Sequence, residues 1–235
     1  MTIRRRVRRI WRPTIVTVFN PKLYCSAAAV AASVGCGSTG GSVTPSPATP
    51  AGGRIVVLGD SLAVSPSRSQ NFVAELQARL NATFPGWVIA NGGVSGDTTS
   101  GGVERSDYWL GGNPNVLVLE LGANDGLRGV STSAVERNLS TIIERAQARG
   151  TRVLLCGMEA PPLNGWNYSV EFHKIYPRLA ARYGVPLVPF LLEGVALNPE
   201  LNGDDIIHPN AAGAKVIAAT VWPYLEPMIV SLATR

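Results

Sequence analysis

Residues 54–62 read RIVVLGDSL, an apolar run that ends in a glycine and two polar residues before Leu62. An uninterrupted run such as 55–58 is typical of a strand covered on both faces, as in a parallel sheet. Gly59 permits a tight turn at the end of that strand. Ser61 follows directly, so we expect it at the carboxyl edge of the sheet, where open α/β folds bind their ligands.

Strands and helices alternate along the rest of the chain. Further apolar runs predict strands at 87–90, 116–121, 152–156 and 186–188. Apolar residues at helical spacing predict helices around 72–80, 133–146, 175–183 and 211–224. This order predicts a mostly parallel five-stranded sheet with helices on both faces.

Local signals predict where two of these helices begin and end. Ser133 with Glu136 three residues later resembles a capping box, which predicts a helix start at this point. Gly150 and Gly184 follow the last apolar positions of two helices and predict their ends. Pro177 should either kink its helix or lie in the first turn.

The N-terminal sequence predicts an export signal and a linker. Residues 1–35 carry seven basic side chains, no acidic one and a short apolar run, which is typical of a signal sequence. Residues 36–53 are rich in Gly, Ser, Thr and Pro and predict a flexible linker, which leaves 54–235 as the folded domain. Cys36 follows a stretch that resembles a lipoprotein cleavage box, so a membrane tether through Cys36 is one expectation. Ordinary cleavage near 31–35 is the other, and the product is then periplasmic.

Charge and cysteine content exclude two classes of protein. Residues 36–235 carry 14 basic and 16 acidic side chains, and we therefore expect no basic face for nucleic acid. The three cysteines do not suggest a disulfide scaffold, since only Cys156 falls in the domain, within an apolar run.

A serine nucleophile needs an adjacent base, and the chain offers two histidines. His173 lies among charged residues of a predicted helix and is expected on the surface. His208 lies in a turn before the last helix, so it is the candidate base for Ser61. Asp205, three residues earlier, can reach its Nδ1 and fix the imidazole, with Asp204 as the rival.

Two further loops offer donors for an oxyanion. Gly96 follows the second strand and can present an unobstructed backbone N–H, and Asn124 follows the third strand and can donate its side-chain amide. Each is by itself an ordinary loop residue. Together with Ser61 and His208 they place four chemically suited groups at one predicted edge of the sheet.

Four short blocks, in order, resemble the SGNH (GDSL) hydrolase family. They are GDSL at 59–62, VSGDT at 94–98, GAND at 122–125 and DIIHP at 205–209. The resemblance covers about 54–226 and implies a flavodoxin-like three-layer α/β/α sandwich. It implies a catalytic triad of Ser61, Asp205 and His208, and an oxyanion hole formed by Ser61, Gly96 and Asn124. It implies no metal and no organic cofactor.

Residues 118–129, 175–177 and 185–190 are similar to the bacterial thioesterase I, lysophospholipase L1 and arylesterase branch of this family. That similarity implies hydrolysis of aryl and short or medium acyl esters, with thioesters and lysophospholipids as further substrate classes. Ala123 departs from the branch, where glycine is common, and its methyl group should narrow the site beside Asn124. Leu127 and Trp166 follow the third and fourth strands and are expected to line the acyl site.

Three alternatives remain open at this level. One is a carbohydrate O-acetyl esterase of the same fold, and another is a non-catalytic surface-binding lipoprotein. General protease activity ranks lowest, since nothing suggests a peptide-binding cleft. We expect a monomer whose partner is a small ester or lipid substrate.

Overall fold

The computed structural model describes residues 52–234, and its centre is a five-stranded sheet. Every pairing between neighbouring strands of this sheet is parallel, and the strand order is β2-β1-β3-β4-β5. The strands are β1 (Arg54–Gly59), β2 (Val88–Asn91), β3 (Val116–Glu120), β4 (Arg152–Cys156) and β5 (Leu187–Val188). This order is that of flavodoxin-like folds, which confirms the predicted fold class.

The two central strands form the core because apolar residues point to both faces. Ile55–Leu58 of β1 and Val116–Leu119 of β3 are fully buried. Their register places Gly59 directly beside Glu120, so both strands end at the same edge of the sheet. Ser61 follows β1 at this edge, as expected.

Helices cover both faces of the sheet. On one face α1 packs against α7, and on the other α4 packs against α2 and α6. The helices are α1 (Phe72–Thr83), α2 (Thr99–Leu110), α3 (Ala123–Arg128), α4 (Thr132–Ala148), α5 (Trp166–His173), α6 (Ile175–Tyr183) and α7 (Ala211–Ala233).

The capping box predicted at Ser133 is wrong. Helix α4 begins at Thr132 after the N-cap residue Ser131, so Ser133 already lies inside its first turn. Glu136 does not reach back to the N-terminus, because its carboxylate accepts hydrogen bonds from Arg178 and Arg182 of α6, at 2.9 and 2.8 Å. The ends predicted at Gly150 and Gly184 are confirmed, since both glycines have positive φ just beyond α4 and α6.

Helix α7 extends to Ala233, beyond the end predicted near 224. Pro223 and Pro227 lie inside it, and each removes a backbone donor. The helix continues because Leu225, Met228 and Ile229 are buried against the domain, which offsets the cost of the prolines. By length and apolar composition alone it could also cross a membrane, and in the described domain its buried residues pack on α1 and β5.

The export signal, Cys36 and most of the linker lie outside the described residues. Among the described residues, the first strand, β1, begins at Arg54. Within the described part of the chain, Cys156 is a buried free thiol at the end of β4.

Candidate active site

The serine lies at the point where the chain leaves the sheet. After β1, Asp60 caps a 3₁₀ turn formed by Ser61–Ala63, and its Oδ1 accepts the Leu62 N–H at 2.9 Å. The chain runs from β1 to β2 on one side and then to β3 on the other, so Ser61 lies at a topological switch point. Ligand sites of open α/β sheets form at such points.

Ser61, His208 and Asp205 form one continuous chain of contacts. Ser61 Oγ lies 2.8 Å from His208 Nε2, and His208 Nδ1 lies 2.5 Å from Asp205 Oδ2. With Nδ1 protonated and donating to the carboxylate, Nε2 is free to accept the serine proton. The structure therefore brings together the three residues predicted for the triad.

The turn that carries His208 is organised around the Asp205 carboxylate. Its Oδ1 accepts the N–H groups of Ile207 and His208 at 3.0 and 2.9 Å, while Ile206, the residue directly after Asp205, adopts a positive φ of 59°. The hydrogen bond with the His208 imidazole, followed by these two backbone bonds, lowers the pKa of Asp205 well below its usual range. Within the described residues, no hydrogen bond joins Asp204 to His208, so the structure places Asp205 in the orienting position.

Asn210 anchors the same turn to the last helix. Its side-chain oxygen accepts the N–H groups of Ala212 and Gly213 and so caps α7. Its amide donates to the carbonyl groups of Glu200 and Asn202, at 2.9 and 3.1 Å. The imidazole is therefore held by a turn that is tied at both ends.

Gly96 lies in the loop after β2 with a φ of 78°, a conformation that favours glycine. Arg128 Nη2 donates to its carbonyl oxygen at 2.9 Å, which fixes the peptide group. The neighbouring Asp97 forms an ion pair with Arg105, and Arg105 also donates to the Gly92 carbonyl at 2.8 Å. No hydrogen bond among the described residues uses the Gly96 N–H, which leaves it available to a ligand.

Asn124 lies in the first turn of α3 and approaches the serine turn from the other side. Its Nδ2 donates to Asp60 Oδ2 at 3.1 Å, so one amide hydrogen is used and the other remains for a reacting group. The Ser61 N–H likewise has no partner within the described part of the chain.

Next to the strand ends that precede the nucleophile lie two buried carboxyl groups to which the sequence analysis gave no role. Asp60 and Glu120 are both fully buried, and the Asp60 N–H donates to Glu120 Oε2 at 3.1 Å. Burial raises the pKa of Asp60 to about 6 and, together with the charge of Asp60, raises the pKa of Glu120 well above its usual range. A glutamate at the end of the apolar run VLVLE was the available signal.

An apolar cavity of about 260 Å³ opens at Ala123, the residue before Asn124. Its walls come from α3, from the segment after β4 and from the histidine turn, and include Ala123, Leu127, Met158, Ala160, Ile206 and Ile207. Leu127 therefore lies where the sequence places it. Trp166 does not line this cavity, because it starts α5 on the surface with 73% of its area exposed.

A second, more open cavity of about 510 Å³ lies on the His208 side of the serine and has more polar walls. Its lining includes Ser65, Ser95, Asp204, Asp205 and Asn210. The other histidine, His173, is on the surface of α5 and bonds Glu159 at 2.6 Å, far along the chain from this cluster. Within residues 52–234, no group of three His, Cys, Asp or Glu side chains could hold a metal ion.

Comparisons with known proteins agree with this geometry. The model of the GDSL-like Lipase/Acylhydrolase family matches residues 57–216. The chain is 38% identical to esterase TesA of Pseudomonas aeruginosa, over 74% of this chain and 89% of that protein. It is 36% identical to an arylesterase of Vibrio mimicus (75% and 90% covered), and 35% identical to thioesterase 1/protease 1/lysophospholipase L1 of Escherichia coli K12 (74% and 84% covered).

Solved structures show the same similarity. The crystal structure of TesA superimposes with a TM-score of 0.71 at 38% identity, covering 74% of this chain and 99% of that one. The psychrotrophic esterase EstA from Pseudoalteromonas also gives 0.71, at 27% identity, with 76% and 99% covered. The chain thus belongs to the GDSL-like lipase/acylhydrolase family, and it is a carboxylic ester hydrolase.

Proposed function

We propose that the protein cleaves carboxylic esters through an acyl-enzyme on Ser61. The observation that carries this assignment is the contact chain from Ser61 Oγ through the His208 ring to Asp205, at 2.8 and 2.5 Å. Serine needs such a base, because its hydroxyl is a weak nucleophile at neutral pH. Asp205 orients the imidazole and stabilises the imidazolium that forms during the reaction.

In the first step, Ser61 Oγ attacks the acyl carbon while His208 Nε2 takes the hydroxyl proton. The Ser61 N–H, the Gly96 N–H and the free amide hydrogen of Asn124 stabilise the oxyanion of the tetrahedral intermediate. His208 then gives its proton to the leaving oxygen, and the alcohol departs. In the second step, His208 deprotonates a water molecule, which attacks the acyl-enzyme and releases the acid.

The apolar cavity at Ala123 is suited to the acyl chain. It is lined mainly by carbon, and at about 260 Å³ it is small. Pockets for drug-sized ligands typically measure about 300–1,000 Å³. We therefore propose a preference for short and medium acyl chains, with Leu127 in the wall and Trp166 outside it.

The cavity on the other side of His208 is suited to the leaving group, since His208 must protonate that group. Besides His208 itself, serine, asparagine and aspartate side chains line it, and its lining contains neither lysine nor arginine. This lining favours neutral leaving alcohols over phosphate-bearing ones. Aryl and simple alkyl esters are therefore proposed to be better substrates than lysophospholipids.

We further propose that the protein is exported and acts as a monomer. The basic and apolar segments of residues 1–35 support export, and the linker with Cys36 supports a lipid tether. Mass spectrometry of the mature N-terminus tests this: a lipidated Cys36 supports the tether, and an unmodified N-terminus produced by cleavage near 31–35 supports ordinary cleavage.

A panel of p-nitrophenyl esters from acetate to palmitate, together with acetylated xylan, tests the proposed substrate. The account predicts highest kcat/KM at short or medium chains and loss of activity in Ser61→Ala. The matched control is Ser133→Ala, which removes an exposed hydroxyl from α4. Activity confined to acetylated sugar would support the carbohydrate esterase alternative, and an inactive wild type would support the non-catalytic one.

A further inference from the structure

The end of β3 places a glutamate against Gly59 and Asp60, the two residues that precede the catalytic serine. Glu120 lies beside Gly59 in the sheet register, and its carboxyl occupies the space that glycine leaves. A Cβ atom at position 59 would overlap Glu120 Oε2. Gly59, two residues before the serine, thus has a second role besides its turn: it makes room for a buried carboxyl group.

This carboxyl group is poorly solvated for a charge. Glu120 is fully buried, and only its Oε2 has a backbone donor, the Asp60 N–H at 3.1 Å. Within the described residues, Oε1 has no conventional donor as a partner. A buried carboxylate with an unsatisfied oxygen is costly, whereas the protonated acid can use that side of the group as a donor.

Asp60 has more hydrogen-bond donors around its carboxyl group than Glu120 has. Its Oδ1 accepts the Leu62 N–H at 2.9 Å, its Oδ2 accepts Asn124 Nδ2 at 3.1 Å, and its carboxyl is within hydrogen-bonding reach of Glu120. Two donors, the Leu62 N–H and the Asn124 amide, converge on this carboxyl and favour its ionised form, in which it can also accept a proton held by Glu120. A proton shared by the two groups therefore belongs on Glu120.

The groups around the pair support this distribution. Three titratable groups interact electrostatically with Glu120 or Asp60, namely Cys156 on β4, Tyr176 on α6 and His208. On α2, the Arg105 guanidinium donates to the neighbouring Gly59 carbonyl at 3.3 Å. Burial raises the pKa of both the Cys156 thiol and the Tyr176 hydroxyl well above their usual ranges, so both are neutral. The imidazolium formed at His208 during the reaction further favours an ionised Asp60.

We propose that Asp60 and Glu120 share one proton, carried by Glu120, and that this pair sets the orientation of the Asn124 amide in the oxyanion hole. An ionised Asp60 can only accept, so it selects the amide orientation in which NH₂ faces Asp60 and the reacting oxygen. A protonated Asp60 could donate to the amide oxygen, and the flipped amide would then withdraw the oxyanion donor. The inference rests on the proposed function, and both carboxyl groups are positioning residues.

Variants distinguish a neutral glutamic acid from a charged one. Glu120→Gln keeps a donor and an acceptor in nearly the same shape, so kcat on p-nitrophenyl butyrate should stay within about threefold of wild type near neutral pH. Glu120→Ala leaves the Asp60 N–H unpaired and removes the donor to its carboxylate. Its kcat should fall by at least about tenfold, with KM changed by less than about threefold.

The pH profile provides a readout that a purely structural glutamate would not move. Wild-type kcat should decline on the alkaline side when Glu120 loses its proton, because the new carboxylate no longer donates to Asp60 and repels it from its position under the Asn124 amide. Glu120→Gln should lack this decline. The matched control is Glu104→Gln, an exposed position on α2, which should keep the wild-type profile. Identical alkaline profiles in wild type and Glu120→Gln would overturn the proposal.

Infrared difference spectroscopy observes the proton itself. At mildly alkaline pH, wild type and Glu104→Gln should show the C=O stretch of an un-ionised carboxyl group that both Glu120→Gln and Glu120→Ala lack. A wild-type spectrum without that band would also overturn the proposal. Failure of the proposed function looks different: Ser61→Ala would then retain esterase activity, while the infrared band would be unaffected.

Discussion

Ser61 Oγ lies 2.8 Å from His208 Nε2, although 147 positions separate the two residues in the sequence. The packing of the helices that follow each residue explains this contact. Helix α1 comes after the serine turn, α7 comes after the histidine turn, and the two helices pack against each other on one face of the sheet. The catalytic geometry therefore depends on the hydrophobic contact between α1 and α7 as well as on the turns themselves.

Replacing Asp205 with asparagine should reduce kcat by on the order of 10⁴, because the amide can stabilise the wrong histidine tautomer and cannot stabilise the imidazolium. The neighbouring Asp204→Asn is the matched control, since it removes one charge from the same turn. Steady-state kinetics on one aryl ester compare the two variants. Equal losses would indicate a general effect of charge rather than the contact with His208.

Removing the Asn124 side chain should reduce kcat by roughly 10²–10³ and leave KM nearly unchanged, because its amide acts on the developing oxyanion. Asn81→Ala, at an exposed position of α1, serves as the control. If Asn124→Ala instead raised KM at constant kcat, the amide would be binding the ground state, contrary to the proposed role.

Enlarging Leu127 to tryptophan should shift the preferred acyl chain of the p-nitrophenyl ester panel to shorter lengths, because the residue lines the apolar cavity. The exposed Trp166→Ala should leave the chain-length preference unchanged. A changed preference in Trp166→Ala together with an unchanged one in Leu127→Trp would place the acyl chain elsewhere.

Stability should fall as pH rises because of the buried carboxyl pair. Glu120 ionises near its ordinary pKa of 4.5 in the unfolded chain, but burial and the charge of Asp60 raise its pKa well above this value in the folded protein. Between these two pKa values the folded state therefore binds more protons than the unfolded chain. For each extra proton bound, the free energy of unfolding falls by about 1.4 kcal/mol per pH unit as the pH rises through this range. Asp60 also lowers the free energy of unfolding as the pH rises, between its ordinary pKa of 3.8 and its folded pKa of about 6.

Glu120→Gln removes the larger part of this dependence. The Tm of the variant, relative to wild type, should rise steadily between about pH 6 and the folded pKa of Glu120. Thermal unfolding in a series of buffers measures this difference, with Glu104→Gln as the control. A constant difference across that range would mean that Glu120 is already ionised in the folded protein.

The sheet could be predicted from the sequence because its strands are uninterrupted apolar runs bounded by glycine or polar residues. The alternating order of strands and helices requires a helix between β2 and β3, but the sequence does not predict where this helix, α2, begins and ends. Its buried face consists of Thr99, Gly102, Ser106 and Leu110, so the usual apolar periodicity is absent. A Cβ atom at Gly102 would overlap Leu121, which shows why this face contains small residues.

The residues of the candidate site could be predicted from the sequence, but the long-range contacts that hold them in place could not. Motif spacing and the family resemblance identified Ser61, His208 and Asp205, and chemistry suggested Gly96 and Asn124. Long-range contacts such as Glu120 with Asp60 and Arg128 with Gly96 leave no local pattern, since they form only when separate strand ends meet. Trp166 shows the opposite error: an aromatic residue after a strand suggested a pocket wall, yet it lies at the surface.

The most direct test is labelling of the intact protein with a fluorophosphonate, followed by peptide mapping. The account predicts a single adduct on Ser61, absent from Ser61→Ala and formed much more slowly in His208→Ala, because the hydroxyl must lose its proton to the imidazole. An adduct on another residue, or labelling of Ser61 at an unchanged rate without His208, would contradict it.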